Sequence, residues 1–194
     1  MIQIKQYIIK LVLTMMFLYS APALAVIYNI DSCISNQAEN NLKRSGISLP
    51  KVPHAAGNYK AYNKVGNVVY INQVALKNDI ITYPGIIGST VSELQAIEET
   101  RQTALNILSA LKEATGGDLG RVKSVVQLTG YFNTTEHFVR HAIVMNAASD
   151  LMIDIFGERG IHTRATIGAK SLPLYSTVEI QAIFELCPDS NVLH

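Results

Sequence analysis

Apolar and polar residues alternate near the end of the chain, which predicts a strand with one buried face. Over residues 177–186 the apolar members except Ile183 fall on one side and Glu179 on the other, because strand side chains alternate with a period of two. A second strand-like run, Thr163–Ala169, comes shortly before it, and Pro173 marks the bend between them. We expect these two strands to form a pair joined by a tight connection.

Four earlier segments are rich in β-branched and aromatic residues and predict further strands: 58–62, 68–76, 80–83 and 122–132. The first three are short and are separated by turn-forming sequences. The fourth is long and stands between two helical segments.

Apolar residues recur at spacings of three and four in two longer segments, which predicts two long amphipathic helices. The first opens at residues 90–93 (TVSE), which have the form of a capping box, and ends at residues 116–117 (GG). The second opens at residues 133–136 (NTTE) and continues to Phe156. A shorter helix is expected over residues 31–45.

The order of these elements predicts an α+β fold. Long helices separated by single strands, with strand pairs at both ends, favour a mixed sheet with both long helices packed on one face. The other face then carries a half-apolar set of side chains: Tyr70, Gln127, Thr129, Tyr131, Glu179 and Gln181. Because such a face usually meets another subunit, we expect self-association.

The first 25 residues have the pattern of a secretory signal peptide. Lys5 and Lys10 make a positive start without acids, residues 11–19 form a short apolar core, and residues 23–25 (ALA) are a small-x-small cleavage site. An uncleaved membrane anchor is the alternative, but the apolar stretch is short for a span of about 20 residues and Pro22 interrupts it. We therefore predict export, to a bacterial periplasm or beyond the cell.

The remaining chain is long enough for one domain of ordinary size. We divide it into an N-terminal helical arm at 26–50, a main domain at 51–187 and a tail at 188–194. The formal charge is +1, and loss of Lys5 and Lys10 with the signal makes it −1. There is no Lys/Arg stripe and no second apolar run of spanning length, so the sequence favours neither nucleic acid nor a membrane as partner.

Two cysteines, Cys33 and Cys187, stand near opposite ends of the exported part. In an oxidising compartment they can form a disulfide that ties the N-terminal arm to the end of the last strand. Two buried free thiols are the alternative. The spacing leaves both open, because a disulfide needs close Cα atoms that a sequence does not display.

Two charged residues stand out in the last two predicted strands. Arg164 lies in an otherwise uncharged strand, and its guanidinium is a fork that suits a carboxylate. Glu179 lies opposite the apolar row, where a carboxylate can hold a water or move a proton. The alternative is that the two side chains pair with each other or with solvent.

Several short motifs carry a family resemblance: Gly57-Asn58-Tyr59, Gly66-Asn67-Val68-Val69-Tyr70, NILSAL at 106–111, RVKSVVQLTGYFN at 121–133, NAASDL at 146–151, HTRATIG at 162–168, Leu172-Pro173 and Val178-Glu179-Ile180. In this order they resemble the RidA/YjgF family, the reactive-intermediate deaminases, and in particular its longer branch. The resemblance covers roughly residues 51–186.

The resemblance implies a chorismate-mutase-like fold assembled as a homotrimer, with small-molecule clefts between subunits. It implies that Arg164 binds a substrate carboxylate and that Glu179, the candidate catalytic residue, positions the attacking water. The other candidate substrate-binding residues are Tyr59, Asn146, Asn72 and Thr166. The implied reaction is hydrolysis of a 2-imino or enamino acid to a 2-keto acid and ammonia, with no metal or cofactor.

One departure from the family pattern affects the pocket. Deaminase members carry a Ser/Thr-Gly-Gln turn after the second strand, whereas this chain reads Ile71-Asn72-Gln73-Val74. Glycine allows a backbone to approach a ligand closely, so its loss motivates a second hypothesis, a non-catalytic ligand-binding or interaction module. Thr166 stands where many members carry cysteine, which argues against a thiol role.

Other chemistry receives less support. His137 and His141 are four apart on a predicted helix, but the sequence supplies no convincing third metal ligand. The acids Glu93, Glu98 and Glu99 are typical of a solvated helix face. The endoribonuclease label that family members often carry has no counterpart here, since aromatic residues do not interleave with Lys and Arg.

Overall fold

The computed structural model describes residue 33 and residues 35–53 and 57–188; the predicted export signal lies outside them. The strands are, in chain order, β1 (Tyr62–Val65), β2 (Val68–Val74), β3 (Leu76–Lys77), β4 (Ile80–Ile81), β5 (Val122–Asn133), β6 (Thr163–Ala169) and β7 (Val178–Leu186). The helices are α1 (Gln37–Arg44), α2 (Glu93–Ala114) and α3 (His141–Phe156). No helix in this described part is long and apolar enough to cross a membrane.

Five strands form one sheet in the order β1-β2-β7-β5-β6, and β3 and β4 form a separate hairpin. Neighbours in the sheet are antiparallel except β5 and β6, which run parallel because α3 returns the chain to the end at which β5 began. Helices α2 and α3 pack on each other and on one face of this sheet. The predicted α+β fold, a mixed sheet with two long helices on one face, is confirmed.

The core lies between the sheet and these two helices. The apolar row predicted on β7 faces it, with Ile180 and Phe184 fully buried. From the helices, Leu108 and Met152 belong to the same buried cluster, and both are fully buried. Burial of each such side chain stabilises the fold by about 1.5–3 kcal/mol. The alternating pattern therefore determines which face of the sheet the helices cover.

The prediction that the last two strands form a pair is wrong. β6 and β7 do not touch, because β5 lies between them and pairs with both. After β6 the chain makes a 3-10 turn at Pro173–Tyr175 and passes the end of β5 before entering β7. The connection is short, yet it bridges two strand spacings rather than one, and this separates Arg164 from Glu179.

Both predicted helix starts are also wrong. α2 begins after Ser92, whose hydroxyl accepts from Gln95 N at 3.3 Å while Gln95 Oε1 accepts from Ser92 N at 2.9 Å. Two overlapping capping sequences compete here, and Thr90 instead accepts from Ile86 N at 2.9 Å. α3 begins at His141 without a side-chain cap, because Asn133 still belongs to β5.

Several strand and helix bounds are shifted relative to prediction. β1 begins at Tyr62 rather than at residue 58, and α1 is confined to Gln37–Arg44. The predicted strand 68–76 is divided, because its last residue belongs to the β3–β4 hairpin. The long strand predicted at 122–132 is confirmed and extends one residue further.

Cys33 and Cys187 are joined in a disulfide, with their Cα atoms 5.8 Å apart. The bond ties the residues before α1 to the end of β7. Beside it, Cys187 N donates to Arg121 O at 2.8 Å and Ser35 N donates to Gly120 O at 3.2 Å. The N-terminal arm is therefore fixed against the main domain by backbone bonds as well as by the disulfide.

Candidate functional site

The sheet face opposite the helices forms the floor of an open cavity of about 510 Å³. Amide and hydroxyl side chains line it from three neighbouring strands, namely Asn72, Gln127, Thr129 and Gln181, together with Tyr59, Tyr62 and Tyr70. Tyr131 extends the polar character of this face, since its hydroxyl donates to Gln181 Oε1 at 3.2 Å. Tyr70 is 47% exposed, so the face presents aromatic surface to whatever covers it.

Glu179 lies at one end of this face, half-buried, where β7 pairs with both β2 and β5. Its Oε1 accepts a hydrogen bond from Asn72 Nδ2 at 2.5 Å. Both side chains line a second, smaller cavity together with Tyr59, Pro173 and Leu174. The structure therefore brings three of the predicted site residues, Glu179, Asn72 and Tyr59, to one place.

Arg164 lies elsewhere, on the edge strand β6 beside α3. Its Nη1 donates to Asn146 Oδ1 at 2.8 Å and to Ser149 Oγ at 3.1 Å, and its Nη2 donates to Ala142 O at 3.3 Å. The three acceptors recur at spacings of four and three along α3, so one face of the helix holds the guanidinium. Arg164 and Asn146, both predicted site residues, are therefore in contact, and Thr166 follows two positions along the same side of β6.

The two groups of predicted residues lie on opposite faces of the sheet. On β5, Arg164 is paired with Leu128, which is buried under the helices. Glu179 is paired with Tyr131 of the same strand, which lies on the open face. The two positions are also two strands and about three residues apart, roughly 14 Å between Cα atoms. Among the described residues they form no ion pair, and one small molecule cannot touch both within a single chain.

Two further residues beside Arg164 were missed in the sequence: Ser149 contacts its guanidinium, and His162 contacts Ser149. Ser149 Oγ lies 3.1 Å from His162 Nε2, and His162 Nδ1 lies 2.6 Å from Gly160 O. Burial lowers the pKa of His162; the bond to Gly160 raises it, and the charge of Arg164 lowers it again. The signal was present as His162-x-Arg164 at the start of a strand and Asn146-x-x-Ser149 on a helix, but the sequence alone does not show that these two elements meet.

One prediction about the acids of α2 is wrong. Glu99 is only 2% exposed, and its Oε1 accepts from Tyr83 N at 3.1 Å. Burial raises the pKa of Glu99, with the backbone bonds from Tyr83 and Thr82 opposing it. Glu93 is also engaged, since it receives two hydrogen bonds from Arg140 at 2.6 and 2.9 Å.

The two histidines considered as metal ligands point to different surroundings. His137 is exposed and lies 3.1 Å from Glu136, whereas His141 packs edge-on against Phe138. Burial lowers the pKa of His141. Within the described residues, no three His, Cys, Asp or Glu side chains cluster closely enough to hold a metal ion.

A two-helix layer on one face of a mixed sheet, with a polar and aromatic opposite face, defines the chorismate-mutase-like class of α+β proteins. The family model described as "YjgF/chorismate_mutase-like, putative endoribonuclease" matches residues 39–186. This match covers most of the chain, and the protein therefore belongs to the RidA/YjgF family.

Individual relatives support this placement. Protein TCP17 of Trypanosoma cruzi is 35% identical over 154 residues, which cover 78% of this chain and 96% of that protein. The protein Atu1372 of Agrobacterium tumefaciens, whose function is unknown, is 35% identical with a TM-score of 0.71 over 78% of this chain and 93% of its own. A putative endoribonuclease of Shewanella oneidensis is 32% identical with a TM-score of 0.74, covering 78% of this chain and 100% of its own.

Proposed function

We propose that this protein is an exported homotrimer that binds a small carboxylate in clefts between its subunits and hydrolyses 2-imino or enamino acids there. The observation that carries the proposal is the division of the candidate site. One chain presents Arg164 at the β6 edge, and the same chain presents Glu179 with Asn72 on the opposite face. A ligand that touches both must lie between two chains, and a closed ring of equivalent head-to-tail contacts provides such clefts.

In this proposal Arg164 binds the carboxylate of the substrate. Its side chain is exposed at the sheet edge and carries no carboxylate partner among the described residues. Its three bonds to α3 restrict the long side chain before a ligand arrives, which reduces the entropy that binding must remove. A planar guanidinium also fixes the orientation of a carboxylate by two parallel hydrogen bonds.

Glu179 of a neighbouring chain handles the water. Its carboxylate accepts a proton as the water oxygen attacks the imine carbon, and this proton passes to the imine nitrogen to give a tetrahedral carbinolamine. The carboxylate then moves the hydroxyl proton of the carbinolamine to the nitrogen, so that the C–N bond breaks, ammonia leaves and the C=O bond of the keto acid forms. The products are a 2-keto acid and ammonia, so water is the only co-reactant. Asn72 Nδ2 donates to Glu179 Oε1 at 2.5 Å and fixes its position, and Tyr59 lines the same cavity.

A non-catalytic binding module is the second candidate, and one observation favours it. Residues 71–74 remain regular strand in β2, so no glycine turn opens the backbone beside Glu179. In this alternative Glu179 serves only to accept the hydrogen bond from Asn72. The trimer and carboxylate binding by Arg164 would be retained without the chemistry.

The disulfide supports the exported location. Such bonds persist in oxidising compartments, and this one joins segments far apart in the chain. Mass spectrometry of the protein from its native host tests this, since export with cleavage predicts an N-terminus at Val26. A cytoplasmic protein that retains residues 1–25 and two free thiols would contradict it.

The activity test is ammonia release by the purified protein from 2-imino acids that an amino-acid oxidase generates in situ. We expect acceleration by the wild type and its loss in Arg164→Ala and Glu179→Gln. Arg44→Ala is the matched control, because Arg44 lies on α1 and contacts Asn41. Equal acceleration by wild type and Arg164→Ala would refute the proposal. No acceleration together with Arg164-dependent binding of a 2-keto acid would establish the non-catalytic module.

A further inference from the structure

Two side chains behind the Arg164 guanidinium, Ser149 and His162, connect it by hydrogen bonds to the backbone. Ser149 is 7% exposed and lies between Arg164 Nη1 and His162 Nε2, each 3.1 Å from its hydroxyl oxygen. His162 connects onward to the Gly160 carbonyl at 2.6 Å. Gly160 cannot carry a side chain here, because a Cβ would meet the Met152 carbonyl and lie 2.8 Å from Ile153 Cα.

The direction of each bond follows from which groups can donate. A carbonyl oxygen only accepts, so His162 Nδ1 carries the hydrogen and Nε2 of the neutral ring is an acceptor. The Ser149 hydroxyl then donates to Nε2, and its oxygen lone pairs remain for the N–H of Arg164. The neutral ring that burial favours is the form that satisfies every member of the chain.

The hydrogen bonds of Arg164 within the chain leave part of its guanidinium for a ligand. Both Nη1 hydrogens are used by Asn146 and Ser149, and one Nη2 hydrogen is used by Ala142 O. One N–H on Nε and one on Nη2 remain. Arg140 uses these same two atoms, Nε and Nη2, to bind both oxygens of the Glu93 carboxylate at 2.6 and 2.9 Å.

We propose that Ser149 and His162 are positioning residues, which hold the Nη1 side of Arg164 so that its Nε–Nη2 edge faces the ligand carboxylate. This inference rests on the proposed function, because it assumes that Arg164 binds the ligand. Neither residue touches the substrate. Ser149 acts on Arg164 directly, and His162 acts through Ser149 by accepting its hydrogen.

Two substitutions of His162 separate this role from a structural one. In His162→Asn the amide occupies the place of Nδ1, so the bond to Gly160 survives and the acceptor for Ser149 is lost. In His162→Gln the longer amide carries an acceptor to the place of Nε2. A positioning role predicts that Asn weakens ligand binding and Gln retains it. A role confined to supporting the Gly160 turn predicts the reverse.

The experiment is a saturation-transfer NMR titration of the purified full chain with 2-oxobutanoate, a 2-keto acid. We expect Ser149→Ala to weaken binding by about tenfold, the effect of losing one hydrogen bond to a charged group. His162→Asn leaves Ser149 without its acceptor and should weaken binding by about fivefold, the effect of losing one hydrogen bond between neutral groups. His162→Gln should stay within about threefold of wild type. His137→Gln is the matched control, since His137 is exposed and lies outside the chain of bonds.

The double variant Ser149→Ala/Arg164→Ala completes the test. If Ser149 acts through Arg164, the weak binding left in Arg164→Ala is not weakened further by removing Ser149, and a further weakening in the double variant would overturn the inference. Unchanged binding in Arg164→Ala alone would overturn the proposed function. Lost binding in Arg164→Ala, with unchanged binding in Ser149→Ala and His162→Asn, would overturn this inference only. Thermal melts of each variant identify any loss of binding that comes from unfolding. If Ser149→Ala unfolds, the comparison of His162→Asn with His162→Gln still tests the positioning role.

Discussion

Breaking the disulfide between Cys33 and Cys187 should cost this protein much of its stability. The two residues are 154 positions apart, so the bond closes a loop that contains nearly the whole domain. The chain-entropy relation for a loop of this length gives about 5 kcal/mol at 25 °C, near the upper end of measured effects. For a chain of this size that loss corresponds to a decrease in Tm of roughly 10–20 °C.

The arm retains other contacts after reduction. Lys112 and Glu39 form an ion pair at 2.8 Å, and Asn41 donates to Ile155 O at 2.9 Å. These contacts join α1 to α2 and α3, so reduction should lower the midpoint without abolishing the fold. The assay is thermal unfolding with and without a reductant, beside the double variant Cys33→Ser/Cys187→Ser. The variant should match the reduced wild type and be insensitive to reductant. A reduced wild type that melts within about 1 °C of the oxidised protein would show that the disulfide contributes little to stability, contrary to this prediction.

Two further perturbations follow from buried groups. Because burial raises the folded-state pKa of Glu99 above its unfolded value of 4.5, the contribution of this group to stability is present at low pH and is lost as pH rises through the folded pKa. Glu99→Gln should therefore gain in Tm relative to wild type between pH 4 and pH 7, whereas Glu113→Gln, at an exposed position of α2, should not. Parallel Tm profiles for wild type and Glu99→Gln would contradict this prediction. Gly160→Ala should lower the free energy of unfolding, measured in urea, by about 1–3 kcal/mol, because the added Cβ meets backbone atoms of α3. Gly57→Ala is the control, since its added Cβ lies 3.4 Å from a Tyr59 ring carbon. Equal stability of the two variants would exclude the predicted clash.

The strand period predicted the face of Glu179 correctly, but the face of Arg164 depended on its pairing partner. Alternation along β7 places Glu179 opposite the buried row, and the structure agrees. β6 has no such row, so its orientation is set by its parallel pairing with β5. Parallel pairing arises from the crossover through α3, a long-range feature that local alternation does not encode.

The parts of the candidate site that could not be predicted are contacts between distant elements. Ser149 and His162 lie 13 positions apart and meet only because α3 packs beside β6. Glu99 resembled a solvated acid because charged neighbours surround it in sequence, and only the packing of the segment around Tyr83 buries it. Likewise, Ser92 and Thr90 compete as caps on equal local terms, and the surrounding loop decides between them.

In the proposed trimer a working site combines Arg164 of one chain with Glu179 of another. Co-expression of Arg164→Ala chains with Glu179→Gln chains tests it, because mixed trimers recreate clefts in which both residues are wild type. With random assembly of equal amounts, about one quarter of the clefts recover both groups. We expect ammonia release at about a quarter of the wild-type rate from the mixture and none from the double variant Arg164→Ala/Glu179→Gln. A mixture no more active than its two parents, beside an active wild type, would contradict it.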